Sequence, residues 1–376
     1  MRKQTKPMRA LVVAGARPNF VKISPLLRAF RRYRDVETLL VHTGQHYSKA
    51  MSAVFFRDLE IPLPDVNLEV GSGSHARQTG EVMKRFEPVV GKFRPDVVVV
   101  VGDVNSTLAC ALTAAKLCVP AAHVEAGLRS FDRTMPEEIN RLLTDQVSDF
   151  LFATEPSAVR NLRREGIPGR KIHLVGNIMV DALRYYLPRA TRSGARQRLG
   201  LAVGGNRKAK DYILLTLHRP SNVDDGQRLR QILRVVARLG EHCPVIFPVH
   251  PRTRKQAAAA GLDAMLRGGS VRAIAPLGYL QFLDLLSRAR LVLTDSGGIQ
   301  EETTALGIPC LTLRDNTERP ITVTMGTNQV VGTDPERIWR AATRVLERGQ
   351  SRRRVPRLWD GRTAERIIRI LRREVR

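Results

Sequence analysis

Short apolar runs rich in β-branched residues alternate with helix-length amphipathic stretches along nearly the whole chain, and that alternation admits few folds. In the first half the runs are Ala10–Ala16, Val36–Thr43, Asp96–Gly102, Ala121–Glu125, Phe150–Thr154 and Ile172–Val175. Helix-period segments lie among them at Phe20–Tyr33, Ser106–Leu117 and Pro136–Val147. The second half repeats the scheme, with strands at Tyr212–Leu217, Val245–Val249, Val271–Ala275, Leu291–Thr294 and Cys310–Leu313. Its helices include Arg228–Leu239, Tyr279–Ser287 and Gln300–Leu306. Runs that are apolar on both faces belong to parallel sheets covered on both sides by helices. The pattern therefore predicts an α/β chain of two doubly wound, Rossmann-like domains. A length of 376 residues also exceeds one ordinary core and suits two domains of about 150–200 residues each.

Thr191–Lys210 is polar, basic and without clear period beyond its first turns, so 191–210 reads as a linker. It separates a domain at 1–190 from one at 211–355. Residues 356–376 read as a terminal amphipathic helix with apolar positions Ile367, Ile368, Ile370 and Leu371.

A formal charge of +26 raises the question of a nucleic-acid partner. The excess concentrates in Ala182–Lys210, with eight Arg/Lys and no acid, and in Ser351–Arg376, with ten Arg against three acids. Neither stretch carries a recognition motif or an aromatic stacking series, so no nucleic-acid partner is expected, only a general attraction for anions. Four cysteines (Cys110, Cys118, Cys243, Cys310) are scattered without metal-ligand spacing, as suits buried thiols in a reducing compartment. The N-terminal apolar run stops at Arg17-Pro18-Asn19, and the longest apolar runs are too short to span a bilayer. The reading is cytoplasmic, with no membrane partner and no metal.

Open α/β sheets bind ligands beyond the carboxyl ends of their strands, and the unusual motifs all follow strands. Gly15-Ala-Arg17-Pro-Asn19 opens a helix, where a tight turn, Pro18 and the helix N-terminus suit either an ordinary βα turn or an anion reached by Arg17. Lys22 either joins that site or faces water. Asp103 ends a very apolar strand, as a helix cap or a site group, and Glu125 ends the next. Glu137 stands just inside a helix opened by Pro136, where helix stability alone accounts for an acid. Asp103, Glu125 and Glu137 in one pocket would push at least one carboxyl upward and furnish an acid or base near neutral pH.

In the second half, His218-Arg219 at a strand end suits phosphate neutralisation and proton delivery, and His250 follows a similar but weaker pattern. The sharpest motif is Thr294-Asp-Ser296-Gly297-Gly298-Ile-Gln-Glu-Glu302. Its glycines open backbone N–H groups to a diphosphate, Ser296 adds a hydroxyl, and Glu302 suits ribose hydroxyls. Arg319 lies in the loop after the following strand.

Taken in order, the motifs G-A-R-P-N-F-V-K, H-T-G-Q-H, V-G-D-V-N-S, H-V-E-A-G-L-R-S-F-D, M-P-E-E-I-N-R, T-L-H-R-P, D-S-G-G-I-Q-E-E and R-D-N-T-E-R-P closely resemble the non-hydrolysing UDP-N-acetylglucosamine 2-epimerases, from about Leu11 to Gly332. The resemblance implies a GT-B-type fold of two Rossmann-like domains facing a cleft, with the C-terminal helix crossing back to the first. It implies interconversion of UDP-GlcNAc and UDP-ManNAc with no cofactor, through elimination of UDP and a glycal intermediate, in a homodimer. Position by position, Asp103, Glu125 and Glu137 match carboxylates implicated in proton handling, and His218 matches a catalytic histidine near the phosphate. Arg17 and Lys22 match groups important for activity, and Ser296, Gly297, Gly298, Glu302 and Arg319 match the UDP site.

This sequence departs from the family in three places. Ser221 replaces a familiar carboxylate, and the stretch from Glu125 to Glu137 is two residues shorter than in many bacterial members. Gln45, His46, Glu138 and Arg219 resemble part of a second, activating UDP-GlcNAc site, but Gly71–Gln78 does not match its remainder, so activation is not expected. A GT-B glycosyltransferase and a hydrolysing 2-epimerase are the alternatives, and relatives act on other UDP-amino sugars, uronic-acid forms included.

Overall fold

The structure is a computed structural model that describes residues 6–44, 56, 58–201, 211–267, 269–348 and 354–375. The chain divides into two compact units, Met1–Arg184 with Arg357–Arg376, and Tyr185–Pro356. The division falls between Arg184 and Tyr185, inside the helix Ile178–Ala190, and not in the polar stretch 191–210. Part of that stretch is folded: Ala195–Arg198 is a helical turn, and Arg196 pairs with buried Asp284 at 2.7 Å. Residues 202–210 lie outside the described ones.

In the first unit the strands are β1 (Met8–Ala14), β2 (Val36–His42), β3 (Val66–Asn67), β4 (Val97–Val101), β5 (Ala121–Ala126), β6 (Phe150–Ala153) and β7 (Ile172–Leu174). They lie in the order β3-β2-β1-β4-β5-β6-β7, parallel throughout. All five valines of β4 are buried, which requires cover on both faces of the sheet. The helix His75–Phe93 supplies part of that cover through Val82, Phe86, Val90 and Phe93, one stripe at helical spacing. The terminal helix Thr363–Glu374 buries Ile367, Ile368 and Leu371 and belongs to this unit. Asp181, distant in sequence, accepts the N–H groups of Thr363 and Ala364 at 3.1 and 2.8 Å and so caps its first turn.

The second unit holds β8 (Ile213–Thr216), β9 (Val245–Pro248), β10 (Val271–Ile274), β11 (Leu291–Thr294), β12 (Cys310–Thr312) and β13 (Asn328–Val330). Their order is β10-β9-β8-β11-β12-β13, again all parallel. The helix Gly226–His242 packs Leu229, Ile232, Leu233, Val236 and Leu239 into the core. Strands β3 (Val-Asn) and β13 (Asn-Gln-Val) escape the sequence pattern because neither carries an apolar run. The first helix, read from Phe20, begins instead at Arg17, because Pro18 is already set for the first turn.

In each sheet the strand order reverses once, between β1 and β4 and between β8 and β11. Connections there leave in opposite directions, so the loops part and expose the strand ends, the place where such sheets hold ligands. Gly15, Gly102 and Asp103 stand at the first reversal, and His218, Asp295 and Ser296 at the second.

Candidate active site

At the first reversal the turn after β1 is closed by Asn19. Its Oδ1 accepts the N–H of Ala16 and its Nδ2 donates to the carbonyl of Val101, each at 2.8 Å, which ties β1 to β4. Gly15 is required here, since a Cβ would stand 2.7 Å from that of Ser106. Lys22, one turn further along the helix, donates through Nζ to Oε2 of Glu125 at 2.5 Å. Both side chains are nearly inaccessible, at 11% and 2%, so each charge offsets the other's loss of water.

Glu125 owes its position to the backbone. The pairing of β5 with β6 slips between Val124 and Ala126, and Glu125 adopts φ +73°. A left-handed glutamate inside a bulge is strained, and such bulges re-aim a side chain. Gly102 completes the floor: at φ +75°, its missing Cβ would lie 3.2 Å from Lys22 Nζ and 3.7 Å from Glu125 Oε2.

Behind this floor His123 is fully buried, with Nδ1 2.6 Å from Asp145 and Nε2 2.8 Å from the carbonyl of Gly102. Asp145 also accepts from Arg129 at 2.7 Å and from the N–H of Gly127 at 3.0 Å. Burial pushes the Asp145 carboxyl up, but His123 and Arg129 together bring it below the usual range. Both ring nitrogens of His123 are thus held by fixed partners, one on Asp145 and one on the main chain. Neither His123 nor Asp145 was singled out from sequence.

Asp103, partly exposed, pairs with Arg141. Arg141 also reaches Glu138 through Nε at 3.0 Å and Nη2 at 2.7 Å. Glu138 accepts the N–H groups of Ser130 and Phe131 at 3.0 and 2.9 Å, so its carboxylate braces the loop after β5 from inside. Burial raises its pKa, and the Ser130 N–H and Arg141 outweigh that and hold it low. Glu137 is half-buried on the turn before Arg141, on the same helix face. Helix Pro136–Val147 thus brings Arg141 to the end of β4 and Glu138 to the loop after β5.

In the second unit Asp295, fully buried, organises the end of β8. It accepts the N–H groups of His218 at 3.0 Å and Arg219 at 2.9 Å, and Asn222 Nδ2 at 3.2 Å. His218 Nδ1 lies 3.0 Å from it. Ser296 is the N-cap of helix Gly297–Leu306, yet its side chain makes no cap bond. A Cβ at Gly297 would strike Glu318 Oε1, whereas at Gly298 it would meet open space. Gly297 therefore accommodates a carboxylate of its own chain, and only Gly298 leaves room.

Glu318 pairs with Arg314 at 2.9 Å, and Arg219 stands 3.9 Å away. Arg319 is buried against Glu301 at 2.6 Å. Glu302 accepts from the hydroxyl of Tyr279 at 3.0 Å. Burial pushes its carboxyl up to about 7, the hydrogen bond from Tyr279 opposing. Sequence reasoning missed Tyr279, Glu301 and the role of Asp295. The signal for Asp295 was its place at the switch-point strand end, the counterpart of Asp103.

Only the backbone of Arg17 is described, and Gln45 and His46 lie outside the described residues. Among the described residues no His, Cys, Asp and Glu cluster is arranged to hold a metal ion, and no helix is long and apolar enough to cross a membrane.

Two Rossmann-like units with acids, a lysine and a histidine gathered at their switch points define an enzyme of the tandem α/β class. The chain belongs to the UDP-N-acetylglucosamine 2-epimerase family, whose model matches residues 28–372. It is 45% identical over 368 residues to the UDP-N-acetylglucosamine 2-epimerase of Methanocaldococcus jannaschii, covering 97% of this chain and 99% of that one. A crystal structure of the Methanocaldococcus jannaschii enzyme in complex with UDP-GlcNAc and UDP matches with a TM-score of 0.89, over 97% of this chain and 100% of that one. A Neisseria meningitidis UDP-GlcNAc 2-epimerase bound to UDP-GlcNAc, 30% identical, matches with a TM-score of 0.87 over 98% of this chain and 100% of the other. The UDP-2,3-diacetamido-2,3-dideoxy-D-glucuronate 2-epimerase of Pseudomonas aeruginosa is 44% identical over 342 residues, 90% of this chain and 92% of that one.

Proposed function

We propose that this chain interconverts UDP-N-acetylglucosamine and UDP-N-acetylmannosamine by inverting carbon 2. The observation that carries the reading is the buried Lys22–Glu125 pair on a bulge, because a carboxylate held there at φ +73° against a buried lysine is the kind of strained, charged arrangement that gathers at functional sites. A carboxylate of the first unit takes the proton from carbon 2. The carbon 1–oxygen bond breaks with its electron pair going to UDP, and a double bond forms between carbons 1 and 2. UDP oxygen then re-adds at carbon 1 while a carboxyl returns a proton to the opposite face of carbon 2, so atoms and charge balance. Moving a carbon-bound proton calls for several carboxyl groups of different environment, and Asp103, Glu125 and Glu137 provide them. The departing diphosphate calls for cations and N–H donors, the role read for Arg17, His218, Ser296, Gly298 and the start of helix Gly297–Leu306, with Glu302 toward the ribose. Arg319 supports that helix through Glu301.

Purified protein with UDP-N-acetylglucosamine in deuterated water, followed by NMR, tests this directly. Deuterium should enter carbon 2 as UDP-N-acetylmannosamine appears. Free N-acetylmannosamine with UDP would make the enzyme a hydrolase, and no exchange would sink the epimerase reading in favour of a transferase. A parallel run with UDP-2,3-diacetamido-2,3-dideoxy-D-glucuronate checks the sugar, because the relatives named for either substrate are similar at 45% and 44% identity. We also read the enzyme as a cytoplasmic homodimer: its four cysteines are unpaired thiols, as a reducing compartment keeps them, and dimerisation is the habit of the family it resembles. Light scattering after gel filtration checks the dimer.

A further inference from the structure

We infer that Asp295 is a positioning residue for the reaction, holding His218 with its Nδ1 proton turned inward so that Nε2 is the nitrogen that meets the departing diphosphate. The inference rests on the function proposed above and deepens it. Asp295 ends β11 and His218 follows β8, the two strands flanking the reversal of the second sheet. The Asp295 carboxylate receives three N–H donors, the backbone of His218, the backbone of Arg219 and Asn222 Nδ2, and His218 Nδ1 lies 3.0 Å from it. Asn222 is itself anchored, donating to the carbonyl of Leu313 at 2.8 Å. A carboxylate so surrounded stays ionised, and burial, which alone would raise its pKa, is outweighed by His218 and the two backbone N–H groups.

An ionised carboxylate only accepts, so Nδ1 carries hydrogen in every state of the ring. Two states then remain: neutral with a lone pair on Nε2, or cationic with hydrogen on both nitrogens. The histidine side chain is 38% exposed while the aspartate is wholly buried, so the ring is open to a ligand and its anchor is sealed from water. Backbone bonds to residues 218 and 219 fix the main chain from which the ring projects, and this restricts the ring further. An aspartate behind a catalytic histidine does the same in serine proteases, setting tautomer and orientation without itself taking the proton.

The test uses the full-length enzyme. Asp295→Asn should lower kcat for epimerisation about 100-fold or more, leaving KM and UDP affinity within about threefold. In a His218→Ala background the same change should cost less than about threefold, because its effect passes through the absent ring. Losses that multiply in the double variant, or a collapse of UDP affinity equal to that of kcat, would show that Asp295 only caps the backbone and would overturn the inference. If Asp295→Asn fails to fold, nitrogen-15 NMR of histidine-labelled native enzyme reads the ring directly, with His218→Ala assigning the signal. Hydrogen on Nδ1 is expected; a ring with its lone pair on Nδ1 refutes the proposal. Absence of any turnover by the native enzyme would refute the proposed function and leave the NMR result standing.

Discussion

Glu125 concentrates two opposed energies. Its left-handed backbone costs about 1–2 kcal/mol in any residue but glycine, whereas removing its carboxylate strands a buried lysine at a cost of about 3–5 kcal/mol. The second outweighs the first. Glu125→Gly should therefore destabilise the protein by roughly 2 kcal/mol in urea denaturation, and adding Lys22→Met should recover most of that loss. A Glu125→Gly variant more stable than the native protein would show that Lys22 is compensated elsewhere. Glu302 offers a pH test. Its folded carboxyl titrates near 7 against an ordinary 4.5, so between those values the native state keeps a proton that the unfolded chain has released. Stability should fall as pH rises through that window, by on the order of 3 kcal/mol. Glu302→Gln should flatten the slope and be the more stable form at pH 8; an unchanged slope would assign the effect to another group. Both residues were legible as site candidates from their motifs. Their physical state was not, because Lys22 and Tyr279 reach them from 103 and 23 positions away.

Among elements, those with a long period or a strong cap were legible and those stabilised from a distance were not. The valine run of β4 and the stripe of helix Gly226–His242 are local patterns, whereas β13 is a strand only because β12 offers it a ladder. The terminal helix shows both sides. Its apolar stripe is plain in sequence, but its first turn is capped by Asp181 from 182 positions away. Asp181→Ala should leave two buried N–H groups without their acceptor, destabilise the first unit by about 1–2 kcal/mol, and speed hydrogen exchange in Thr363–Glu374 ahead of the rest of that unit. Exchange that stayed as slow as in the native protein would mean the Ile367, Ile368 and Leu371 stripe holds the helix alone. Polar composition points to a limit at 191–210, whereas the compact units divide inside the helix Ile178–Ala190.

At the scale of the molecule the excess of +26 charges acts as a field rather than through single contacts. Exposed pairs such as Arg252–Asp224 and Arg373–Glu374 are each worth about 0–1 kcal/mol, too little to offset it. Salt that shortens the screening length from about 30 to about 8 Å should therefore raise the thermal midpoint; a midpoint that falls with salt would show that the local pairs dominate. The sequence by itself determined the α/β class, the duplication of the parallel-sheet plan and the location of the chemistry at strand ends. Those follow from periodicity and turn residues, which are short-range. Tertiary structure alone decided which groups are partnered. The Lys22–Glu125 pair, the Asp295 anchor of His218 and the carboxylate over Gly297 all join residues distant in sequence that the sheets bring side by side. No local rule reports such pairings, because their energies arise only when distant, buried charges share one low-dielectric site.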